Sequence, residues 1–321
     1  MILITGATGF VGSHLLEKLR SRGEAVRCLV RPTTNTRRLP AGVDSAPGDL
    51  ITGTGLDRAL AGIDTVIHVA GITKALSRAD FFSGNTRATE VLVRAIAKHS
   101  IRLVYVSSIA AVGPTPDSHP LNEDAPPHPV STYGKSKLEG EKIARSFVPD
   151  TVIIRPPVVY GPRDTDVFQI LKAVSQGLVL EIAGGDRWFS AIYVEDLAEG
   201  LYAAANAPKA AGRTYFLAHC DPVSWGQLGA TAAQIMQCTP RTLRVPVSVA
   251  HGVAFFGEMW SRMTRNPAII SREKVAEAGY RYWTCEPSRA AADFGFAAPT
   301  PLAAGLARTL AWYKEAGWLK Y

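Results

Sequence analysis

The chain has few cysteines, and their spacing excludes the common cysteine-based frameworks. Cys28, Cys220, Cys238 and Cys285 lie far apart without a CxxC pair, so neither a metal site nor a set of disulfides is expected. This usage is typical of a reducing compartment, and we expect a cytoplasmic protein. An apolar run of about 18 residues is also lacking, so no membrane-spanning helix is expected. No signal peptide is expected either, because the N-terminus opens into an apolar strand.

Charge is present but only slightly unbalanced. The 321 residues carry a net charge of +7, with 47% hydrophobic and 20% charged residues. These values are ordinary for a globular protein with one large or two modest domains. The positive excess suits an anionic cofactor or an acidic surface, and ordinary surface bias explains it equally well. Because the sequence has no platform of interleaved basic and aromatic residues, nucleic-acid binding is not expected.

The N-terminal stretch organises the rest of the chain. An apolar run at 2–4 is followed by Gly6, Gly9 and Gly12, and then by a segment of helical periodicity at 13–19. In this order, Gly6 allows a tight turn, Gly9 lets the backbone approach a pyrophosphate, and Gly12 lets the helix pack on the strand. The helix N-terminus offers N–H groups to phosphates. The spacing is GxxGxxG rather than GxGxxG, and glycine-rich turns also serve as plain connectors.

Strands and helices alternate over the first half of the sequence. The predicted strands are 25–30, 64–70, 103–107 and 151–157, and the predicted helices include 85–96, with Asn85 as its N-cap, and 132–145. Such alternation indicates parallel strands joined by helical crossovers. The sequence therefore predicts an α/β fold, a Rossmann-type doubly wound parallel sheet, with ligands at the carboxyl ends of the strands.

The pattern changes after Gly161, where we expect a second domain to begin. The last hundred residues are mixed in character and hold five of the six tryptophans. We expect a dinucleotide-binding Rossmann domain at 1–165 and 192–217. A smaller, mixed α/β substrate-binding domain would comprise 166–191 and 218–321.

The sharpest local signal is the segment Tyr133-Gly134-Lys135-Ser136-Lys137. On a helix, Tyr133 and Lys137 lie one turn apart on the same face. An ammonium beside a phenol lowers the tyrosine pKa and makes the tyrosine usable as an acid or base. By chance the same spacing also occurs on surface helices. Upstream, Ser107 and Ser108 end a strand of the same predicted sheet, where a hydroxyl could face the ligand.

Taken together, several motifs resemble an extended short-chain dehydrogenase/reductase of the NAD-dependent epimerase/dehydratase superfamily. These motifs are TGATGFVG, HVAG at 68–71, Ser-Ser at 107–108, YGKSK, RPPVVYGP at 155–162 and YVEDLA at 193–198. They follow the order of the family and cover roughly the first 215 residues. The proline-rich segment and RPPVVYGP look closest to the dihydroflavonol-reductase-like and 3β-hydroxysteroid-dehydrogenase-like branch.

The resemblance implies a catalytic set and a cofactor site. Ser108 would polarise the substrate carbonyl, Tyr133 would exchange the proton, and Lys137 would lower the pKa of Tyr133 and hold the ribose. The cofactor contacts that it implies are Gly6, Thr8, Gly9, Phe10, Val11, Gly12, Arg31, Asp49, Leu50, Val69, Ala70, Gly71, Tyr133, Lys137, Pro156 and Val158. The resemblance also implies a homodimer.

The end of the second strand bears on the choice of cofactor. A carboxylate there selects NAD, whereas an arginine accommodates the 2′-phosphate of NADP. This chain has Arg31 at that place, followed by Arg37 and Arg38, with no acidic residue between Ala25 and Val43. We therefore expect NADP(H). The alternatives are that Arg31 stacks on the adenine, which leaves NAD(H) open, and that Asp49 caps a turn rather than contacting the adenine.

The same family framework separates three reactions. The dehydratases of the family carry a Thr-Asp-Glu run where this chain has Ser108-Ile109-Ala110, which argues against dehydration. Its epimerases place an arginine where this chain has Phe189, although Arg187 is near. We therefore expect an oxidoreductase that acts on a carbonyl or secondary alcohol of a fairly apolar small molecule. A nucleotide-sugar epimerase or dehydratase is the alternative.

One unusually apolar stretch lies in the predicted substrate domain, at 245–260. It is suited to line a hydrophobic pocket or to contact a membrane surface peripherally. Ordinary core or a dimer face is the more common explanation of such a stretch. His68 is expected to be structural, and His251 to take no part in the chemistry.

Overall fold

The computed structural model describes residues 1–36, 39–182, 187–264 and 271–321. Arg37 and Arg38, which follow Arg31 in the sequence, lie outside the described residues.

The strands, in chain order, are β1 (Ile2–Thr5), β2 (Val26–Val30), β3 (Asp44–Pro47), β4 (Thr65–His68), β5 (Arg102–Val106), β6 (Val152–Arg155), β7 (Val158–Tyr160), β8 (Leu178–Ile182), β9 (Trp188–Phe189), β10 (Ala191–Tyr193), β11 (Thr214–Phe216), β12 (Val223–Ser224), β13 (Arg241–Val245) and β14 (Tyr282–Trp283).

The helices are α1 (Phe10–Ser21), α2 (Leu56–Leu60), α3 (Arg78–Phe81), α4 (Ala88–Ile96), α5 (Thr132–Phe147), α6 (Val167–Ser175), α7 (Val194–Asn206), α8 (Trp225–Met236), α9 (Val247–Thr264), α10 (Arg272–Gly279), α11 (Ser288–Phe294) and α12 (Leu302–Glu315). A π-helical turn spans Phe82–Arg87, and 3₁₀ turns span Ile109–Ala111 and Pro208–Ala210. Within the described parts of the chain, no helix combines the length and hydropathy that a bilayer span needs.

The main sheet has the doubly wound order that places a ligand site at its centre. In the described chain, seven parallel strands follow the order β11-β6-β5-β4-β1-β2-β3. Apolar side chains of α1 and α7 pack on one face, and those of α2, α4 and α5 pack on the other. The Rossmann-type α/β fold predicted from the sequence is confirmed. Because the chain order reverses beside β1, the carboxyl ends of β1 and β4 border the switch-point crevice.

A further apolar cluster lies beside the sheet and is formed by β7 and by the part of the chain after Gly161. It joins α6, α8 and α12 around side chains that include Tyr160, Phe189 and Tyr193. Two small sheets accompany this cluster, the three-stranded β12-β9-β14 and the two-stranded β13-β8. Helices α9 and α10 pack on each other next to β13, through Ala250, Ala254 and Val275.

The prediction that Asn85 caps a helix is wrong. The helical segment begins earlier, at Ser77, whose side chain forms a reciprocal capping box with Asp80. Asn85 lies inside the π-helical turn and is buried. Its amide binds the backbone N–H and C=O of Ile72 at 2.8 and 3.0 Å and donates to the Ser136 hydroxyl at 2.9 Å. These tertiary partners explain why a residue typical of caps sits within a helix here.

Candidate active site

The glycine turn forms a tight cradle at the start of α1. Gly6 has a φ of +76°, which favours glycine. A Cβ at Gly12 would lie 2.1 Å from the carbonyl oxygen of Gly6, so only glycine lets the helix approach this closely. Gly9 is the N-cap and provides no side-chain cap. Thr8 is partly buried within the turn. The first N–H groups of α1, at Phe10 and Val11, are therefore suited to bind an anion.

The residues predicted to meet the adenosine end follow β2 and β3. Arg31 is exposed directly after β2, and no carboxylate among the described residues pairs with it. Asp49, which precedes the partly buried Leu50, accepts hydrogen bonds from the N–H groups of Ile51 and Thr52, at 2.6 and 3.2 Å. The turn that was weighed as the alternative role of Asp49 is therefore present.

The other predicted contacts lie at the carboxyl ends of β4 and β6. Ala70 N–H donates to the Thr5 hydroxyl at 3.1 Å, which ties this segment, with Val69, to β1. A Cβ at Gly71 would stand 3.6 Å from Lys137 Nζ. Beyond β6, the carbonyl of Pro156 accepts from Ile109 N–H at 2.9 Å, and Val158 opens β7.

Ser108 and Tyr133 meet because α5 packs unusually closely on the turn that follows β5. Ser131 caps α5 by accepting from Gly134 N–H at 3.1 Å. A Cβ at Gly134 would lie 2.1 Å from the carbonyl oxygen of Ala110, so this glycine permits the approach. The Ser108 side chain hydrogen-bonds to Tyr133, which lowers the tyrosine pKa. The larger effect of burial nevertheless raises the pKa of Tyr133 above its ordinary value.

Lys137 lies one helical turn after Tyr133 on α5 and is held by contacts with β5. Its ammonium is buried, donates to the carbonyl of Val106 at 2.6 Å and lies 4.5 Å from the centroid of the Tyr105 ring. Burial lowers the pKa of Lys137 to about 8, against an opposing effect of the Glu141 carboxylate. That Lys137 lowers the pKa of Tyr133 stays a prediction. Lys274 is a second cation that lowers this pKa, against the larger effect of burial.

A buried ion pair supports α5 one turn beyond Lys137. Glu141 accepts two hydrogen bonds from Arg155, at 2.9 and 2.6 Å, and a third from the Ser107 hydroxyl. Both charged side chains are almost fully buried. The pair joins α5 to β6, and Ser107 joins it to the end of β5. It therefore fixes the helix that carries Tyr133 and Lys137 against the two strands beneath it.

Helix α10 reaches the candidate site from the far end of the chain. Glu273 accepts from the backbone N–H and the hydroxyl of Thr132, at 2.9 and 2.6 Å. The ammonium of Lys274 lies 6.0 Å from the centroid of the Tyr133 ring and pairs with Glu277 at 2.9 Å. The Lys274 side chain is half exposed, and the attraction of Glu277 outweighs partial desolvation and holds its pKa above the ordinary value. A permanent cation therefore stands over the candidate catalytic phenol.

Sequence reasoning missed four of these residues. Glu141 follows Lys137 by one helical turn, so the spacing YxxxKxxxE was a usable signal, and Arg155 had been noted only as part of a strand end. Glu273 and Lys274 carry no local signal. Only the tertiary fold brings α10, more than a hundred residues away in the chain, to the first turn of α5.

The arrangement fits a bound dinucleotide. The cradle at Gly6 and Gly12 has no room for side chains, and the first turn of α1 carries no acidic residue that would repel a pyrophosphate. Arg31 and Gly71 follow the carboxyl ends of β2 and β4, and Lys137 of α5 donates to the last carbonyl of β5. Chemically, the site combines anion-binding backbone with a hydroxyl, a neutral phenol and two ammonium groups.

Comparisons with known proteins agree with this geometry. Residues 2–218 match the model of the NAD dependent epimerase/dehydratase family. The chain is 32% identical to a ceramide reductase of Caulobacter vibrioides, over 99% of this chain and 96% of the relative. It is 26% identical to an N-acetyl-alpha-D-glucosaminyl-diphospho-ditrans,octacis-undecaprenol 4-epimerase of Escherichia coli O157:H7, over 96% and 94% of the two chains.

Solved structures share the fold over the full length. The crystal structure of gox2253 superposes with a TM-score of 0.83 at 26% identity, covering 100% of this chain and 99% of the other. Further relatives include both reductases and epimerases, so the comparisons identify the superfamily without separating the two reactions. From the matching family model and the full-length relative, we conclude that the chain belongs to the NAD-dependent epimerase/dehydratase family, within the extended short-chain dehydrogenases/reductases.

Proposed function

We propose that this protein is an NAD(P)-dependent reductase that acts on the carbonyl of a fairly apolar small molecule, such as a ketone, an aldehyde or a sterol- or flavonoid-like compound. In the reverse direction it would oxidise the corresponding secondary alcohol. The observation that carries the proposal is the pairing of the Ser108 side chain with the Tyr133 phenol at the carboxyl edge of the sheet. Like an ordinary tyrosine, this phenol is protonated at neutral pH. A protonated phenol is ready to donate to an oxygen on which negative charge develops.

The residues of the site would divide the work as follows. The bound nicotinamide cofactor would supply the hydride. Ser108 would hydrogen-bond the carbonyl oxygen and polarise it, and Tyr133 would give that oxygen its proton. The phenolate left on Tyr133 would be stabilised by the nearby Lys274 ammonium and by Ser108. Lys137, held by the Val106 carbonyl, would bind the ribose hydroxyls.

Two observations favour a reductase over the nucleotide-sugar enzymes of the family. Ser108 is followed by buried Ile109 and Ala110, so no carboxylate stands at the place where the dehydratases carry acids. Phe189 is buried and stacks on Trp225, with 4.1 Å between ring centroids, where the epimerases have an arginine. A desolvated diphosphate needs a charged partner. The full-length relative that reduces ceramide supports an apolar substrate.

Arg187 does not take the place of the arginine that the epimerases carry at the position of Phe189. Its Nε donates to the carbonyl of Ala278 at 2.6 Å, which directs this side chain to the backbone of α10. A nucleotide-sugar epimerase or dehydratase stays the alternative, because relatives of comparable length and identity carry out epimerisation.

For the cofactor we propose NADP(H), with NAD(H) as the alternative. Arg31 is exposed at the end of β2 without a carboxylate partner among the described residues, so its guanidinium is available for a 2′-phosphate. If Arg31 stacks on the adenine instead, both cofactors would serve. We further propose a cytoplasmic homodimer with a separate substrate domain at 166–191 and 218–321, on the grounds of cysteine usage and family resemblance.

A two-arm assay tests the proposed reaction. Purified protein is incubated with NADPH and a series of ketones and aldehydes of increasing chain length, and separately with NAD⁺ and nucleotide sugars. We expect NADPH oxidation with the apolar carbonyls and no conversion of the sugars. Sugar epimerisation without carbonyl reduction would contradict the proposal and select the alternative.

A further inference from the structure

Helix α9 turns its large apolar side chains away from the protein. Its exposed apolar residues are Val249, Val253, Phe255, Phe256, Met259, Trp260 and Met263. Most of them recur every three or four residues and so form one continuous stripe. Trp260 and Met263 are the most open, at 67% and 75% exposure. We call this stripe the apolar face of α9.

The opposite side of the same helix carries small residues. Ala250 and Ala254 are buried against Val275 of α10 and Val245 of β13, and Ser261 is buried on the same side. A helix on a water-facing surface normally shows the reverse distribution, with its large apolar residues inside. Single exposed apolar residues are ordinary, but a continuous apolar face of this kind marks an interaction surface.

Two exposed arginines lie on the strand that precedes α9. Arg241 and Arg244 are exposed on β13, the strand that leads into the helix. The Arg244 side chain is 78% exposed although it lies 3.4 Å from Glu181. Arg241 has no acidic partner in the described parts of the chain. The segment that leads into the apolar face therefore carries positive charge.

A third arginine borders the middle of the apolar face. The guanidinium of Arg272 lies 5.6 Å from the centroid of the Phe255 ring, and it pairs with Glu258 at 2.9 Å on the inner side. Aromatic and thioether side chains at the centre with arginines at the edge form the pattern of helices that lie in the headgroup layer of anionic membranes. The net charge of +7 adds attraction of the same sign.

The apolar face is also close to the candidate active site. Arg272 N–H donates to Glu258 of α9 at 2.7 Å, so α10 is fixed along α9. The next two residues of α10 are Glu273, which binds Thr132, and Lys274, which lies over Tyr133. A single helix thus separates the apolar face from the candidate catalytic tyrosine.

We propose that the apolar face of α9 docks this protein on the surface of a bilayer that contains anionic phospholipid. The aromatic and methionine side chains enter the interfacial layer, and the arginines at 241, 244 and 272 contact lipid phosphates. The docking is peripheral, since no described helix is suited to span a bilayer. The inference rests on the surface of α9 alone and holds whatever the substrate of the enzyme is.

Charge favours a bilayer over a second copy of this chain. In a two-fold dimer the same patch meets itself, so the arginine-bordered edges would approach each other or lie at the same rim. An anionic surface instead offers partners to Arg241 and its neighbours over the whole border. A second copy is therefore the competing outcome of the test.

Vesicle flotation tests the proposal with the full-length protein. The probes are vesicles of phosphatidylcholine alone and of phosphatidylcholine mixed with phosphatidylglycerol. We expect the wild type to float with the anionic vesicles and to be released by high salt. The double variant Phe256→Gln/Trp260→Gln should bind at least tenfold more weakly, while Ile51→Gln, a change at an exposed apolar residue far from α9, should bind like the wild type. All variants should keep the thermal stabilisation by NADPH, which checks that they are folded.

Three results would overturn the proposal. The first is a wild type that floats with neither vesicle. The second is a double variant that binds as well as the wild type. The third is a wild-type dimer in solution that the double variant converts to monomer without any vesicle binding, which would assign the face to a second copy. Failure of the carbonyl-reduction assay would leave the docking result unaffected, so the two proposals fail separately.

Discussion

At the residue scale, the chemistry depends on how strongly the surroundings of Tyr133 stabilise its neutral form and its phenolate form. Burial raises its pKa most, while the Ser108 hydrogen bond and the Lys274 ammonium act in the opposite direction. Glu277 and Asp166 add smaller upward effects. The phenol is therefore neutral near pH 7 but has a cation close to the position where its own negative charge would appear.

Replacing Lys274 tests whether its ammonium lowers the pKa of Tyr133. In the oxidation of an alcohol, Tyr133 must accept a proton, so the rate rises with pH as the phenolate forms. Lys274→Met removes a cation that favours the phenolate, so the pKa of Tyr133 rises and the rising part of the profile moves to higher pH. The measurement is the pH profile of kcat. Lys135→Met, on the exposed side of α5, the helix that carries Tyr133, is the control. Superimposable profiles for K274M and the wild type would contradict the assignment.

Arg31 is expected to determine the preference for NADPH over NADH. Arg31→Glu would place a carboxylate where the 2′-phosphate is proposed to lie, so repulsion replaces a charge-assisted hydrogen bond. We expect the ratio of kcat/KM for NADPH over NADH to fall by about tenfold or more, equivalent to ~1.4 kcal/mol. Arg58→Glu, at an exposed arginine of α2, should leave the ratio unchanged. An unaltered ratio in R31E would favour stacking of Arg31 on the adenine.

At the scale of single elements, the start of α1 is the most constrained part of the fold. The helix can begin beside β1 only because Gly12 brings no side chain to the carbonyl oxygen of Gly6, 2.1 Å from the place of a Cβ. In Gly12→Ala the turn must open. A cofactor present at a hundred times its Kd stabilises a protein by about 2.7 kcal/mol, and we expect most of this gain to vanish. Thermal melts with and without NADPH measure it.

The control for this change is Gly279→Ala. A Cβ at Gly279 meets nothing within 4 Å, and its backbone does not have a positive φ. We therefore expect G279A to keep the NADPH shift of the wild type. If G12A kept the shift as well, the glycine turn would not be the phosphate site.

Helix α5 depends on the buried pair between Glu141 and Arg155. Removing one partner of such a pair leaves a buried charge uncompensated, at a cost of about 3–5 kcal/mol. We expect Glu141→Gln to lower the free energy of unfolding by about 3 kcal/mol in a denaturant titration. Glu139→Gln, whose carboxylate pairs with Lys142 at the surface, should change it by less than ~1 kcal/mol. Equal stabilities of the two variants would show that the buried pair contributes little.

At the scale of the whole molecule, the candidate site joins segments that are remote in sequence. Ser108 follows β5, Tyr133 and Lys137 lie on α5, and Lys274 comes from α10. Two isolated bridges, Thr115 with Tyr282 and Leu121 with Cys285, hold the proline-rich loop to the C-terminal part. The position of α10 over Tyr133 thus depends on contacts that only the complete fold provides.

This dependence explains what the sequence could and could not predict. The sheet, the glycine turn and the Tyr133–Lys137 spacing rest on local periodicity, and the fold they indicate is confirmed. Strand β3 could not be predicted, because it is an edge strand in which only Ala46 is buried and it therefore lacks an apolar pattern. Asn85 was misassigned because its amide serves tertiary partners. The pKa of Tyr133 could not be foreseen, since burial and Lys274 determine it.

The stretch at 245–260 shows that the exposed side of a helix can also be impossible to predict from the sequence. Its composition indicated a buried segment or a contact surface, and only the orientation of α9 shows that small residues such as Ala254 face inward while Trp260 faces outward. Periodicity of large and small residues along the helix carries this information in principle. The side that packs on the protein could not be identified from the sequence, because both sides are apolar.

The most direct test of the account is the activity of Tyr133→Phe. This variant removes only the phenolic hydroxyl, and the account makes that hydroxyl the proton donor for carbonyl reduction. We predict that steady-state NADPH oxidation with an accepted carbonyl substrate falls by at least ~100-fold, while the rise in melting temperature with NADPH is retained. Turnover within a few-fold of the wild type would contradict the central claim.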